Sequence, residues 1–362
     1  MSTVQVYLTT DLGVRIALLD QFMELEYTRV VNDIGTLRGT WSQQIFDPAW
    51  LHEDYRVEVW RAALAGGPKR LDTVGLLRYW NPKTTGMVGT VEIVAPDYNE
   101  ILARRIVAYA DGSAQADKTD EADDFMKEIV RDNMGADCVD TARDLTTWGL
   151  SVVADEALGP SVEKKFSRRV VLDAIRELAE TATTNGTPVY FELAPLTSTT
   201  CEFRTWINQP GVDRTADVLV GLEYGNLKDP SYEYDAMDEL TYIYAGGQGE
   251  GAGRNIQAAS DTARIGASAI NRREGWADAS VADTDAGVQT EADAALEAGK
   301  PRRFLGGTLV ETPGCLYGRD WYFGDRVTAV YGGQQYACLV KAVTVRITST
   351  DGEQITADLE VI

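Results

Sequence analysis

Residues 245–254 read AGGQGEGAGR, five glycines in ten, directly after the apolar run ELTYIYA. How this stretch is interpreted decides the class of fold. Gly247, Gly249 and Ala252 fit the loose G-x-G-x-x-A form of a dinucleotide-binding loop, and Glu274 follows at a suitable distance. That chemistry needs a β-α-β crossover with a helix N-terminus facing the pyrophosphate. The flanking runs read instead as an antiparallel meander. Glu274 sits within NRREGW, not at the end of a second apolar strand, and no G-K-[ST] supplies a phosphate-binding lysine. Gly246, Gly247, Gly249, Gly251 and Gly253 are therefore assigned to backbone geometry, as a joint that turns or packs closely, and the chain to a mainly β class.

Working outward, the first 110 residues are a series of short strands. TVQVYLTT, GVRIALL, MELEYTRVVN, GTLRGTWS, YRVEVWRAAL, VGLLRYWN, MVGTVEIVAP and EILARRIVAY recur at short intervals, with turn signals such as NDIG, GGPK and NPKTTG between them. The polar run DGSAQADKTDEAD reads as a loop or linker. Asp120, Glu121, Asp123 and Asp124 crowd the start of a helix, where the backbone dipole favours negative charge. Phe125, Met126, Ile129, Val130 and Met134 form its inward stripe, and Gly135 stops it. A second helix covers Ser167 to Thr183, with Val170, Val171, Ala174, Ile175 and Leu178 on one face. Strands return at PVYFELAP, CEFRTWINQ, DVLVGLEY and DELTYIYA. TEADAALEAGK is a further helix, and TLVETP, DRVTAVYGG, QYACLVKAVTVRITST and QITADLEVI close the chain in β. The expected division is 1–110 as a first barrel-like domain, 111–245 as an α+β middle, 246–300 as a glycine-rich joint and connector, and 301–362 as a β segment of a second barrel.

The net charge of −22 disfavours nucleic acid or anionic membranes as ordinary partners. No run of eighteen apolar residues offers a membrane span, and the N-terminus lacks the pattern of a signal peptide. Cys138, Cys201, Cys315 and Cys338 are scattered without a CxxC and read as free thiols. With His52 the sole histidine, zinc sites and most acid–base triads lose their usual ligand or base. Asp283 and Asp285 hint at a calcium loop, but positions six and twelve fall on Val288 and Ala294 in place of glycine and glutamate. Among 56 acidic residues, no local pattern singles out a catalytic pair. Within RTWINQPGVDRT, Arg204 and Arg214 read as strand and turn arginines that pair with acidic neighbours.

Three segments in this order, FRTWINQPGVDRT, YIYAGGQGEGAGR and TPGCLYGRDWYFGDRVTAVYGG, resemble the tail-tip (baseplate) hub proteins of long-tailed bacteriophages. YRVEVWRAAL, LARRIVAY and DDFMKEIVRDNMG resemble that family's first half, so the likeness covers most of the chain. It implies a structural, non-enzymatic virion protein at the tail tip, made in the host cytoplasm. The fold implied is two small antiparallel β-barrels with peripheral α+β domains. The partners implied are two further copies of itself, the tail tube or distal tail protein, a tip, spike or fibre protein, and passing DNA that is not specifically bound. Two barrels in each of three subunits would match a hexameric ring above. No cofactor is implied. The assembly candidates are Arg204, Arg214, the five glycines, Trp321, Gly324 and Asp325. Acidic walls would let DNA slide, with Asp11, Glu24, Asp325 or Glu353 as lining candidates. TDEADD and DTDAG read as solvated charges. A wall-degrading hydrolase of the tail tip, or a nucleotide-binding enzyme, is the alternative.

Overall fold

The computed structural model describes residues 3–108, 116–280, 282 and 284–362. Alternation builds the N-terminal part: in β1 (Val4–Thr9), Val4, Val6 and Leu8 are fully buried while Gln5 and Tyr7 between them are half-exposed. There follow β2 (Arg15–Leu18), β3 (Phe22–Val30), β4 (Thr36–Ser42), β5 (Arg56–Arg61), β6 (Arg70–Leu76), β7 (Tyr79–Thr85) and β8 (Val88–Pro96). An antiparallel four-stranded sheet has the order β2-β1-β5-β6. VGLLRYWN, read as one strand, is the end of β6 and the start of β7. EILARRIVAY, also read as a strand, opens instead as α1 (Asn99–Ala103). The Asp97 carboxylate accepts from the Asn99 N–H and starts the turn, and Glu100 pairs with Arg104 one turn on.

The middle region holds β9 (Ala116–Glu121), α2 (Ala122–Met134), β10 (Leu150–Val152), β11 (Ser161–Phe166), α3 (Val171–Thr184), β12 (Val189–Pro195) and β13 (Cys201–Ile207). Of the supposed linker, residues 111–115 lie outside the described residues. The rest is β9, paired antiparallel with β11 and cross-linked by Lys165 to Asp117, followed by the first two residues of α2. Asp120 thus belongs to β9, while Glu121 is both its last residue and the N-cap of α2. The expected stripes of α2 and α3 are buried, and with β10-β13-β12 they form one apolar core. Asp123 and Asp124, read as solvated, are buried at 1% and 8% exposure. Lys127, one turn on, donates to both at 3.0 Å, and the N–H groups of Glu156, Ala157 and Gly159 complete their shells. Paired charge can be buried where solvated charge was expected because every carboxylate oxygen finds a donor.

The chain continues through β14 (Leu219–Gly221), β15 (Leu227–Asp235), β16 (Tyr242–Gly246), β17 (Ile256–Ser260), α4 (Thr262–Gly266), β18 (Glu274–Asp278) and α5 (Asp285–Ala298). It ends in β19 (Arg302–Leu309), β20 (Arg326–Tyr331), β21 (Gln334–Thr348) and β22 (Gly352–Val361). Of the run DVLVGLEY only Leu219–Gly221 is strand, and a 3-10 turn takes Leu222–Tyr224. The final strands do not stand apart from the first. A ten-stranded sheet runs β15-β19-β22-β21-β3-β4-β8-β7, with β20 also on β21 and β14 on β20. Its register joins Ala342 to Val30 and Thr348 to Glu24. Trp41, Leu25, Val343 and Val345, from both ends of the sequence, share its core. A small third core, with Ile243, Ala245, Val288 and Ala292, lies between α5 and the sheet β17-β16-β18. The fold is mainly β with an α+β middle. No helix among the described residues is long and apolar enough to cross a membrane.

Candidate functional site

Two of the motifs singled out in the sequence meet at Asp325. This carboxylate is 2% exposed. It accepts from the Val212 N–H at 2.7 Å, the Tyr322 N–H at 2.9 Å and Arg214 Nε at 2.6 Å. The Gly211 N–H donates to the Gly324 carbonyl at 3.0 Å, and Arg326 N–H to Val212 at 3.1 Å. The loop after β13 is thus clasped to the start of β20. Gly324 has φ +82°, and a Cβ there would stand 3.0 Å from the Pro210 ring. Trp321, 2% exposed, packs on Tyr317 with ring centroids 4.9 Å apart. Arg204 is not part of this clasp; it lies on β13 and pairs with Glu202. Of the lining candidates, Asp325 is therefore too deeply enclosed to face a channel. Glu353 is bonded to Arg61 and Thr3, Glu24 pairs with Arg346, and Asp11 is exposed.

The glycine stretch is the turn from β16 to β17, which pair antiparallel, and not a joint leaving the middle region. β18 pairs with β16 in parallel, yet Glu274 opens that strand, and the glycines lead into β17 and a three-residue 3-10 turn. The crossover helix of a dinucleotide loop does not follow them. Three glycines are required by space. A Cβ on Gly246 would stand 2.4 Å from Trp276, one on Gly247 2.5 Å from Val288, and one on Gly249 (φ +102°) 2.7 Å from the Gly253 carbonyl. Gly253 has open space around its Cβ position. The carbonyls of Gly246 and Gly247 accept from the Arg254 side chain, whose guanidinium lies 5.0 Å over Trp276. Asp285 binds Asn255 at the start of α5, while Asp283 lies outside the described residues.

A second buried network was not singled out from the sequence. Tyr27 donates to Asp72 at 2.6 Å and Tyr317 to the same carboxylate at 3.3 Å, with Arg29 bridging Asp72 and Glu192. Arg61, its side chain 3% exposed, donates to Glu353 at 2.7 Å, the Tyr317 carbonyl at 2.8 Å and Glu311 at 3.2 Å. Burial, and then the Asp72 charge, push both tyrosine hydroxyls well above their ordinary pKa. The network ties β3, β5 and β6 to β12, β22 and the segment before β20. Inward-facing Tyr27 was its one sequence signal.

The family model for the Siphovirus ReqiPepy6 Gp37-like protein matches residues 3–359. The chain belongs to that family. No curated protein matches it by sequence. Among solved structures, the Gp37-like chain is similar to the 43 kDa tail protein of prophage MuSo2 from Shewanella oneidensis, at 13% identity and a TM-score of 0.66. That match covers 98% of this chain and 97% of the other. A tail protein from Neisseria meningitidis MC58 matches at 13% identity and a TM-score of 0.62, covering 99% and 96%. Prophage tail protein gp18 from Listeria monocytogenes EGD-e matches at 13% and 0.56, covering 99% and 94%. The Gp37-like chain therefore has the fold of phage tail proteins from end to end. The resemblance drawn from its sequence motifs agrees with this.

Among the described residues, the ten-stranded sheet of the Gp37-like chain ends in two exposed outer strands, β15 and β7. β7 ends the ten-stranded sheet, is exposed along most of its length, and carries Pro82, which an edge strand accommodates. At the tip of its hairpin with β8, Met87 is 95% and Val88 58% exposed. Leu12 and Val14, on the hairpin between β1 and β2, are likewise bare.

Proposed function

We propose that this chain is a structural hub of a phage tail tip, a trimer that joins the hexameric tail tube to a tip, spike or fibre protein and lines the DNA path. The observation that carries this reading is the family match over residues 3–359, joined to a fold shared with a tail protein over 98% of the chain. Strands of both chain ends in one sheet supply material for two tube-like barrels in each subunit, and three subunits would then offer six. The free β7 edge and its apolar hairpin tip suit contact with a neighbouring subunit. A non-enzymatic role fits the enclosed charged clusters around Asp325, around Arg61 and around Lys127, whose bonds hold chain segments together. Image reconstruction of the tail tip tests the proposal: three copies of the chain around an open channel are expected, and one or six copies would overturn it.

A further inference from the structure

Between β5, β6, α1 and the segment before β10 lies a cavity of about 180 Å³. Its lining includes Asp54, Arg56, Arg104, Arg105, Leu145 and Trp148. Arg56 is 1% exposed and its guanidinium lies 5.4 Å from the Trp148 ring. Its Nη1 donates to the Asp54 carbonyl at 3.0 Å. The Nε atoms of Arg56 and of Arg105 are both buried without a hydrogen-bond partner among the described residues. The Asp54 carboxylate does not answer them, because Arg104 and Arg78 hold it; their charges and hydrogen bonds outweigh burial and keep its pKa below the usual carboxylate range. Two guanidinium groups without an ion pair among the described residues thus face one small cavity, in a chain of net charge −22.

An arginine side chain with no ion-pair partner binds an oxygen anion through short, strong, charge-assisted hydrogen bonds. We propose that the cavity is an anion site: a carboxylate or phosphate group accepts from Arg56 and Arg105, with any hydrocarbon stem against Leu145 and Trp148. The anion is either a free solute or an aspartate or glutamate side chain of a neighbouring tail protein. Calorimetry of the purified chain with benzoate and with inorganic phosphate tests the class. Saturable binding with a half-point near or below about 1 mM is expected. Arg105, only partly buried, is the residue to change: Arg105→Gln should weaken binding at least about tenfold while the melting temperature of the free protein holds or rises. Arg105→Lys should keep part of the affinity. A side-chain-level reconstruction of the assembled tail distinguishes the sources, by showing either a partner carboxylate or a separate anion between the two arginines. Failure of both anions to bind, together with a cavity lacking any anionic group in the particle, overturns the proposal. So does binding that Arg105→Gln leaves unchanged.

Discussion

A carboxylate that accepts three hydrogen bonds cannot become an amide without turning an acceptor into a donor. Asp325→Asn places an NH2 either against the Val212 N–H or against both the Tyr322 N–H and Arg214 Nε. The expected loss of stability is about 2–4 kcal/mol, with a lower denaturant midpoint at unchanged slope. A loss under about 0.5 kcal/mol, the level of an ordinary surface change, would contradict the clasp. The glycines offer a contrast within one turn. Gly249→Val meets both a left-handed backbone and the Gly253 carbonyl, and should cost about 1–3 kcal/mol. Gly253→Ala has open space and should be nearly neutral. Equal effects in thermal melts would refute the geometric reading. Glu58 carries a pH dependence. Burial acts to raise its pKa, but hydrogen bonds from Thr9, Trp60 and Arg15 outweigh it, and the net shift is downward. Its stabilisation is therefore present above the unfolded value of about 4.3 and is lost as the pH falls through the folded one. Between about pH 5 and 2, stability should fall less steeply in Glu58→Gln than in the parent; identical slopes would show that these bonds do not favour the ionised form.

At the scale of elements, Lys164 joins β11 to α3 and α5. Its side chain, 4% exposed, donates to Glu177 at 3.2 Å and Glu291 at 2.5 Å. Lys164→Ala should cost about 1–3 kcal/mol and speed amide exchange across α5 more than across α2; uniform exchange would argue that α5 is held by its apolar face alone. The β7–β8 hairpin should behave oppositely. Met87→Lys with Val88→Lys removes only exposed apolar groups, so folding should persist while incorporation into tails is lost. Assembly at the parental level would exclude the hairpin as a contact. The legible elements were those whose burial has a period. Val4, Val6 and Leu8 in β1, and Phe125 through Met134 in α2, announce one buried face each. β9 was not legible, since its alternation is ionic and its partner, β11, lies beyond a whole helix. α1 misled because a short apolar run suits helix and strand alike; the Asp97 carboxylate, two residues before Asn99, accepts from its N–H where the helix begins. The clasp was half legible: the motifs carrying Arg214 and Asp325 stood out, but 111 residues separate them and nothing local pairs them. The Tyr27–Asp72–Tyr317 network includes a bond between residues 245 positions apart and left no local trace beyond the inward face of β3.

For the molecule as a whole, the charge of −22 makes its own prediction. In an assembled ring, the residues within about 8–10 Å of the lumen should hold more Asp and Glu than Lys and Arg, because that is the range over which a passing duplex feels them. A neutral or basic lumen in the reconstruction would leave the acidity to solubility. The pairing of β3 with β21 has a different outcome, in time and not in space. Thr28 and Thr344, hydrogen-bonded across these strands, are 316 positions apart. At a synthesis rate of about 5–20 residues per second, β3 waits roughly 15–60 s for its neighbour to leave the ribosome. The middle region, whose helices and strands pack on near neighbours in sequence, has no such delay. Nascent chains stalled near residue 300 should therefore hold residues 116–207 resistant to protease while β3 and β4 are still cut. During that interval the N-terminal strands offer a bare edge to every other nascent copy, so the protein's yield in a crowded host should depend on chaperones that shield growing chains, and fall steeply with faster expression.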